Sequence, residues 1–170
     1  MKFEYFETLC GCNYSVGAYF DKNMVYIKNA AKSLYYLSKD SEHITLVCRG
    51  TSGCILAGAV GCILERKGKT VTIIVSRKSY NSHGENMSGI WSIPRNSTIV
   101  VIDDFVSTGE TIDKIVKDLN NYFPHRGNNL ILCVSNIWNE ERLKKHTLEE
   151  PILNIIVDAF ATILCTKPIS

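Results

Sequence analysis

Residues 100–112 read VVIDDFVSTGETI. Four apolar residues, Ile99 to Ile102, run straight into two adjacent carboxylates, Asp103 and Asp104; small hydroxyl residues and Gly109 follow. β-Branched residues without polar alternation suit a strand covered on both faces. Beyond the glycine the period changes: Ile112, Ile115, Val116 and Leu119 recur at helical spacing, to about Tyr122. The stretch therefore reads as a buried strand, a tight turn and a helix start. Backbone N–H groups of such a turn, with the hydroxyls of Ser107, Thr108 and Thr111, make a cradle for a phosphate dianion. Gly109 lets the backbone approach closely because no side chain intervenes. Two carboxylates beside a phosphate repel it, so they need another occupant that wants acceptors: vicinal sugar hydroxyls or a divalent metal. A phosphorylated ribose meets both demands. The plain alternative, acids that end a strand and a Thr108 that caps a helix, accounts for one acid better than for two acids and a hydroxyl-glycine turn together.

The flanking chain has the same rhythm. Residues 23–37 place Met24, Ile27, Ala31, Leu34 and Leu37 on one helical face. Residues 43–48 (HITLVC) read as a strand that breaks at Arg49-Gly50-Thr51-Ser52-Gly53. Residues 54–65 are apolar nearly all round and read as a buried helix, with Gly58 and Gly61 allowing close packing and an end at Gly68. Residues 70–76 (TVTIIVS) form the next strand, 97–102 a third and 130–135 a fourth, while 77–96 are a long polar segment. Residues 140–150 suggest a short exposed helix stopped before Pro151, and 155–164 a last strand. Strands alternating with helices imply an α/β fold with a mostly parallel sheet and helices on both faces. Ligands collect at the carboxyl ends of such strands. The segments 49–53, 77–96 and 103–111 should converge there.

Composition narrows the function classes. The 170 residues are 45% hydrophobic and 21% charged, as in an ordinary globular domain. Nineteen basic and 17 acidic residues leave a net charge of +2, too small for a nucleic-acid or membrane surface. The seven cysteines are odd in number, and Cys48, Cys62, Cys133 and Cys165 sit in apolar runs. Buried reduced thiols explain this better than disulfides. Cys10-Gly-Cys12 lacks a partner pair at zinc spacing. The start, MKFEYFETL, carries acids and no apolar core, so no signal peptide is expected, and the protein is expected to be cytoplasmic. No GxxxxGK[ST] loop follows the first strand, which argues against a nucleotide-dependent kinase.

With these residues in view, Asp103-Asp104-Phe105-Val106-Ser107-Thr108-Gly109-Glu110-Thr111 resembles the phosphoribosyl-pyrophosphate (PRPP) signature of type I phosphoribosyltransferases. The resemblance implies a three-layer fold over residues 1–170, with a core at about 24–136. A small hood would come from the amino-terminal segment and from 137–170. It implies that Asp103 and Asp104 hold the ribose hydroxyls and that Ser107, Thr108, Gly109, Glu110 and Thr111 hold the 5-phosphate. Arg49, Gly50, Thr51 and Ser52 match the family's pyrophosphate loop, which Arg77 and Lys78 would join. The stretch Arg77-Lys78-Ser79-Tyr80-Asn81-Ser82-His83-Gly84-Glu85 is similar to the lid of orotate phosphoribosyltransferases, in which Lys78 and His83 would be catalytic. The family's further lid lysine is replaced by Asn81. Ser107, where 6-oxopurine enzymes tend to carry an aspartate, argues against a hypoxanthine-guanine type and is compatible with an orotate-like subtype. Tyr14, Tyr19, Phe20 and Phe105 are aromatic residues that could stack on a base or belong to the core.

The activity so implied moves a 5-phosphoribosyl group from PRPP to a nitrogenous base. Mg²⁺ would be bound mainly through PRPP, with Asp103 and Asp104 as further ligands. Neither nucleic acid nor membrane is an expected partner, and a homodimer is. The alternative is a non-catalytic regulator that senses PRPP or a nucleotide on the same fold.

Overall fold

The structure, a computed structural model, describes residues 3–7, 20–77, 87–94, 96–103, 109–122 and 130–134. Strand β1 is Phe3–Glu7, helix α1 Phe20–Leu37, β2 His43–Arg49, α2 Gly50–Arg66 and β3 Thr70–Ser76. A two-residue β4, Met87–Ser88, and a 3₁₀ turn, Ile90–Ser92, precede β5, Thr98–Asp103. Helix α3, Glu110–Tyr122, and β6, Leu130–Val134, follow. The strands form one sheet in the order β1-β6-β5-β2-β3-β4. Every pairing is parallel except β3 with β4. This is the α/β architecture expected from the alternating pattern.

Side-chain parity sets the layers. In β2, Leu46 faces α2: its Cδ1 would lie 3.6 Å from a Cβ built at Gly61. Thr45, Val47 and Arg49 then face the other way. Ser76 pairs with Arg49, so it shares that second face, and its Oγ lies 3.5 Å from Asp118 Oδ2 on α3. Helices α1 and α2 therefore cover one face and α3 the other. The Trp91 and Tyr122 rings, 5.6 Å apart and edge to face, tie the end of α3 to the turn after β4.

The core on the α1/α2 side is built from Ile27, Ala31 and Leu34 of α1, Leu56, Val60 and Leu64 of α2, and Ile44, Leu46, Val100 and Ile102 of the sheet. Ile112, Ile115, Val116 and Leu119 of α3 are all buried, as their spacing requires. Lys69 is buried too. Its ammonium donates to the carbonyls of Ser38 (2.7 Å) and Ser41 (2.6 Å), just past α1, and sits 5.2 Å from the centre of the Tyr35 ring. Such a cation offsets the negative end of the helix.

Several expectations need correction. Helix α2 begins at Gly50 and not at residue 54. Gly50 adopts φ +75, which turns the chain in one residue, so 49–53 are a strand end and a first helical turn with no separate loop. The helix is buried along one side only: Ile55 and Cys62 are exposed, because a single layer of neighbours lies against it. Cys62 is thus not a core thiol. Gly61 does allow close packing, with Val71 Cγ1 only 3.4 Å from its would-be Cβ, whereas nothing approaches Gly58 within 4 Å. Leu37 is 38% exposed, and Ala30 joins the buried face of α1 instead.

The polar segment 77–96 contains structure that its composition hid. Met87, Ile90 and Ile93 are buried and anchor β4 and the 3₁₀ turn against the sheet. Phe3–Glu7, at the start of the segment expected to supply the hood, pairs with β6 as an edge strand of the main sheet. The expected elements at 140–150 and 155–164 lie outside the described residues.

Candidate active site

Parallel strands β2 and β5 are neighbours at the middle of the sheet. From β2 the chain passes through α2 to β3 on one side. From β5 it passes through α3 to β6 on the other side. The two connections leave on opposite faces, so a crevice opens between the carboxyl ends of β2 and β5. The register Val47↔Val101 carried two residues further sets Arg49 level with Asp103. The sequence-predicted groups at this point are Arg49, Gly50, Thr51 and Ser52 on one side and Asp103, Gly109, Glu110 and Thr111 on the other.

Local backbone chemistry explains both junctions. Gly50 and Gly109 each have positive φ, +75 and +82, and each stands where a strand gives way to a helix. Side chains other than glycine rarely accept that conformation. The Gly109 carbonyl accepts the first helical bond of α3, from the Asp113 N–H at 3.0 Å. At α2 the Arg49 side chain makes no capping bond, and a guanidinium, which carries only donors, has none to offer the first-turn N–H groups. The residue at the end of β5, Asp103, is only 6% exposed. Its Oδ1 would lie 3.5 Å from a Cβ at Gly53, with Ile102 O at 3.6 Å and Cys48 Cβ at 3.7 Å. The first turn of α2 is thus packed directly on the acid.

Arg49 is held in place. Its Nη1 donates to Ser76 Oγ at 2.8 Å, and Ser76 Oγ can donate in turn to Asp118 Oδ2 at 3.5 Å. Ser76 is buried at the end of β3 and Asp118 is on α3. Sequence reading missed both residues. One signal was present: Ser76 is the polar last member of an otherwise β-branched strand end, in register with Arg49. Nothing in the sequence marks Asp118 among the polar positions of α3.

Arg77 stands apart from the crevice. It is exposed, one strand further out, and its Nε donates to Ser88 Oγ of β4 at 2.8 Å. Lys78, Asn81, His83, Gly84, Asp104, Phe105, Ser107 and Thr108 lie outside the described residues.

One thiol is perturbed. Cys48, buried at the end of β2, has its pKa raised, chiefly by burial, then by the Cys54 thiol beside it and the Asp103 carboxylate. Its Sγ is 3.5 Å from Cys54 Sγ and 3.5 Å from the Ile74 carbonyl oxygen. It is therefore a protonated thiol near neutral pH.

No helix among the described residues is long and apolar enough to cross a membrane. No curated protein matches the chain by sequence. Among solved structures, a purine phosphoribosyltransferase from Pyrococcus horikoshii is 14% identical with a TM-score of 0.43, the match covering 82% of each chain. A xanthine-guanine-hypoxanthine phosphoribosyltransferase from Helicobacter pylori is 16% identical with a TM-score of 0.42, covering 86% of this chain and 98% of that one. A hypoxanthine phosphoribosyltransferase from Staphylococcus aureus is 20% identical with a TM-score of 0.42, covering 64% of this chain and 61% of that one. The sequence profile of the phosphoribosyl transferase domain matches residues 16–161, a span that takes in the acid-ended β5, the Gly50 and Gly109 turns and the crevice between them, and the chain belongs to that family.

Proposed function

We propose that this chain transfers the 5-phosphoribosyl group of PRPP to a ring nitrogen of an orotate-like base and releases pyrophosphate. One observation carries the reading: buried Asp103 ends β5 beside the first turn of α2, where the sheet's connections part to opposite faces. In this reading Asp103 and Asp104 accept hydrogen bonds from the ribose hydroxyls. Ser107, Thr108, Gly109 and Thr111 hold the 5-phosphate, with Glu110 in the same turn. The first turn of α2 and Arg49 hold the pyrophosphate.

The reaction gathers positive charge on the ribose ring and negative charge on the leaving group. A carboxylate fixed in a partly dry crevice stabilises the first. Arg49 and Lys78 offset the second, and His83 donates a hydrogen bond or a proton to it. Closure of the lid-like stretch 77–85 would exclude water from the activated sugar. The donor set suits Mg²⁺ held mostly through substrate oxygens and water, since Asp103 is a hard oxygen donor at the end of β5. Asp103 and Asp104 would be its protein ligands, and the ion would neutralise charge on the pyrophosphate. A homodimer and a cytoplasmic location belong to the same proposal.

The orotate-like preference is supported by Arg77-Lys78 and His83-Gly84, and Ser107 is compatible with it. Asn81 in place of a lid lysine supports a second reading, a PRPP-sensing regulator. The test is to incubate the full chain with PRPP, Mg²⁺ and, separately, orotate, uracil, hypoxanthine, guanine and adenine, following pyrophosphate. Release with orotate alone is expected. Release driven by a purine would overturn the base preference, and retention of PRPP without release would select the regulator. Failure to bind PRPP would overturn both.

The Arg49–Ser76 bond yields a further expectation. Ser76→Ala removes the acceptor that aims the guanidinium, a charged hydrogen bond worth about 1.5–3 kcal/mol. Pyrophosphate affinity should fall about tenfold or more, with Ser76→Thr recovering most of it. Titration calorimetry with pyrophosphate and Mg²⁺ checks this, and equal affinity in all three proteins would remove the positioning role.

A further inference from the structure

We propose that Cys48 and Cys54 form a reversible disulfide that closes across residues 49–53 and disables that turn. The two Sγ atoms stand 3.5 Å apart. A disulfide needs about 2.05 Å, so an approach of about 1.5 Å completes the bond. The five residues between the cysteines are Arg49, Gly50, Thr51, Ser52 and Gly53, which include every group given to the pyrophosphate outside the segment after β3. Gly53 has no side chain to stand between Cys48 and the helix turn.

The two thiols have different access. Cys48 is buried in the central strand, and Cys54 is half-buried on α2. An oxidant therefore meets Cys54 first. With hydrogen peroxide, the Cys54 thiolate attacks one oxygen, an S–O bond forms, the O–O bond breaks and hydroxide leaves. Cys48 sulfur then attacks the sulfenic sulfur; the S–S bond forms, the S–O bond breaks, and water leaves with the Cys48 proton. Two sulfurs lose two electrons in all, and one peroxide becomes two waters. A low-molecular-weight disulfide gives the same product by two exchanges and leaves two thiols. Reduction by a dithiol reverses it. In a reducing compartment the pair rests as free thiols.

The strand cannot absorb the approach. β2 stays paired with β3 through Arg49 and Ser76 at its last residue. What the two side-chain torsions do not supply falls on the start of α2, where a single glycine at φ +75 makes the whole corner. Displacing phosphate-facing N–H groups by about 1 Å is enough to lose much of their effect. The consequence for PRPP rests on the proposed function; the bond itself does not.

The experiment uses the full chain with Cys62→Ser, so that the only other described free thiol on α2 is absent. After peroxide and alkylation of remaining thiols, trypsin cuts after Lys39, Arg49 and Arg66. A Cys48–Cys54 bond is then read as peptide 40–49 joined to peptide 50–66, lost on treatment with dithiothreitol. PRPP binding is measured on the same samples. The expected result is that joined peptide, with PRPP affinity lowered on the order of tenfold or more and restored by dithiothreitol. Cys54→Ser should bind PRPP normally and be indifferent to peroxide. Peptides that stay separate would overturn the proposal. A joined peptide with unchanged PRPP affinity would overturn the control it exerts. A chain that forms the bond but never binds PRPP, oxidised or reduced, would refute the proposed function and leave the disulfide standing.

Discussion

Asp103→Asn combined with Asp104→Asn will lower PRPP-dependent pyrophosphate release by a factor on the order of 10³ while the protein stays folded. The asparagine side chain has nearly the shape of the aspartate, so the contact of residue 103 with the first turn of α2 at Gly53 is kept. What is lost is charge and acceptor strength. Removing one preorganised electrostatic contact to a transition state typically costs ~10²–10³ in turnover. The effect should fall on the chemical step more than on PRPP affinity, because the ribose becomes cationic only as the bond breaks. Single-turnover rates with saturating PRPP, beside a urea midpoint, separate the two. A rate within a few-fold of the unmodified chain would remove the ribose role.

Leu46→Ala will cost about 2–5 kcal/mol of stability and leave the kinetics of the surviving folded protein intact. Leu46 is wholly buried in β2, between β5 and β3, and faces α2 at Gly61. Its neighbours Ile44, Val100 and Ile102 are held by strand pairing and cannot collapse into the space. The cavity therefore persists, and its walls lose their dispersion contacts. The urea midpoint should fall with an unchanged slope, and turnover per folded molecule should stay constant. A cost below about 1 kcal/mol would mean that the site repacks. Lost turnover without lost stability would mean that Leu46 acts on the crevice.

Together the two variants separate what holds the sheet from what its edge does. Leu46 and Asp103 are on neighbouring strands, yet one acts through volume and the other through charge. The reason is position along the strand. Mid-strand side chains meet a helix, and side chains at the carboxyl end meet the crevice.

Much of this was legible in the sequence. Residues 99–102 announced a strand buried on both faces because nothing in them could face water, and Gly109 marked the corner because only glycine turns there without strain. The face of α3 followed from Ile112, Ile115, Val116 and Leu119, whose spacing admits one orientation. These are local properties, decided by each residue's size, polarity and backbone freedom within one turn or one strand. Other features needed the assembled sheet. That β2 runs on to Arg49, leaving no loop before Gly50, goes with the pairing of Arg49 and Ser76 across β2 and β3. That Cys62 faces solvent depends on α2 having neighbours on one side only. Met87, Ile90 and Ile93 lie in a polar stretch too short for any period, and they became core only because β3 offered an edge to pair with. The bond from Arg49 to Ser76, its link to Asp118 and the meeting of Cys48 with Cys54 are likewise tertiary. A sequence states what each side chain can do, but strand order and register decide which side chains meet, and those depend on contacts between segments far apart in the chain.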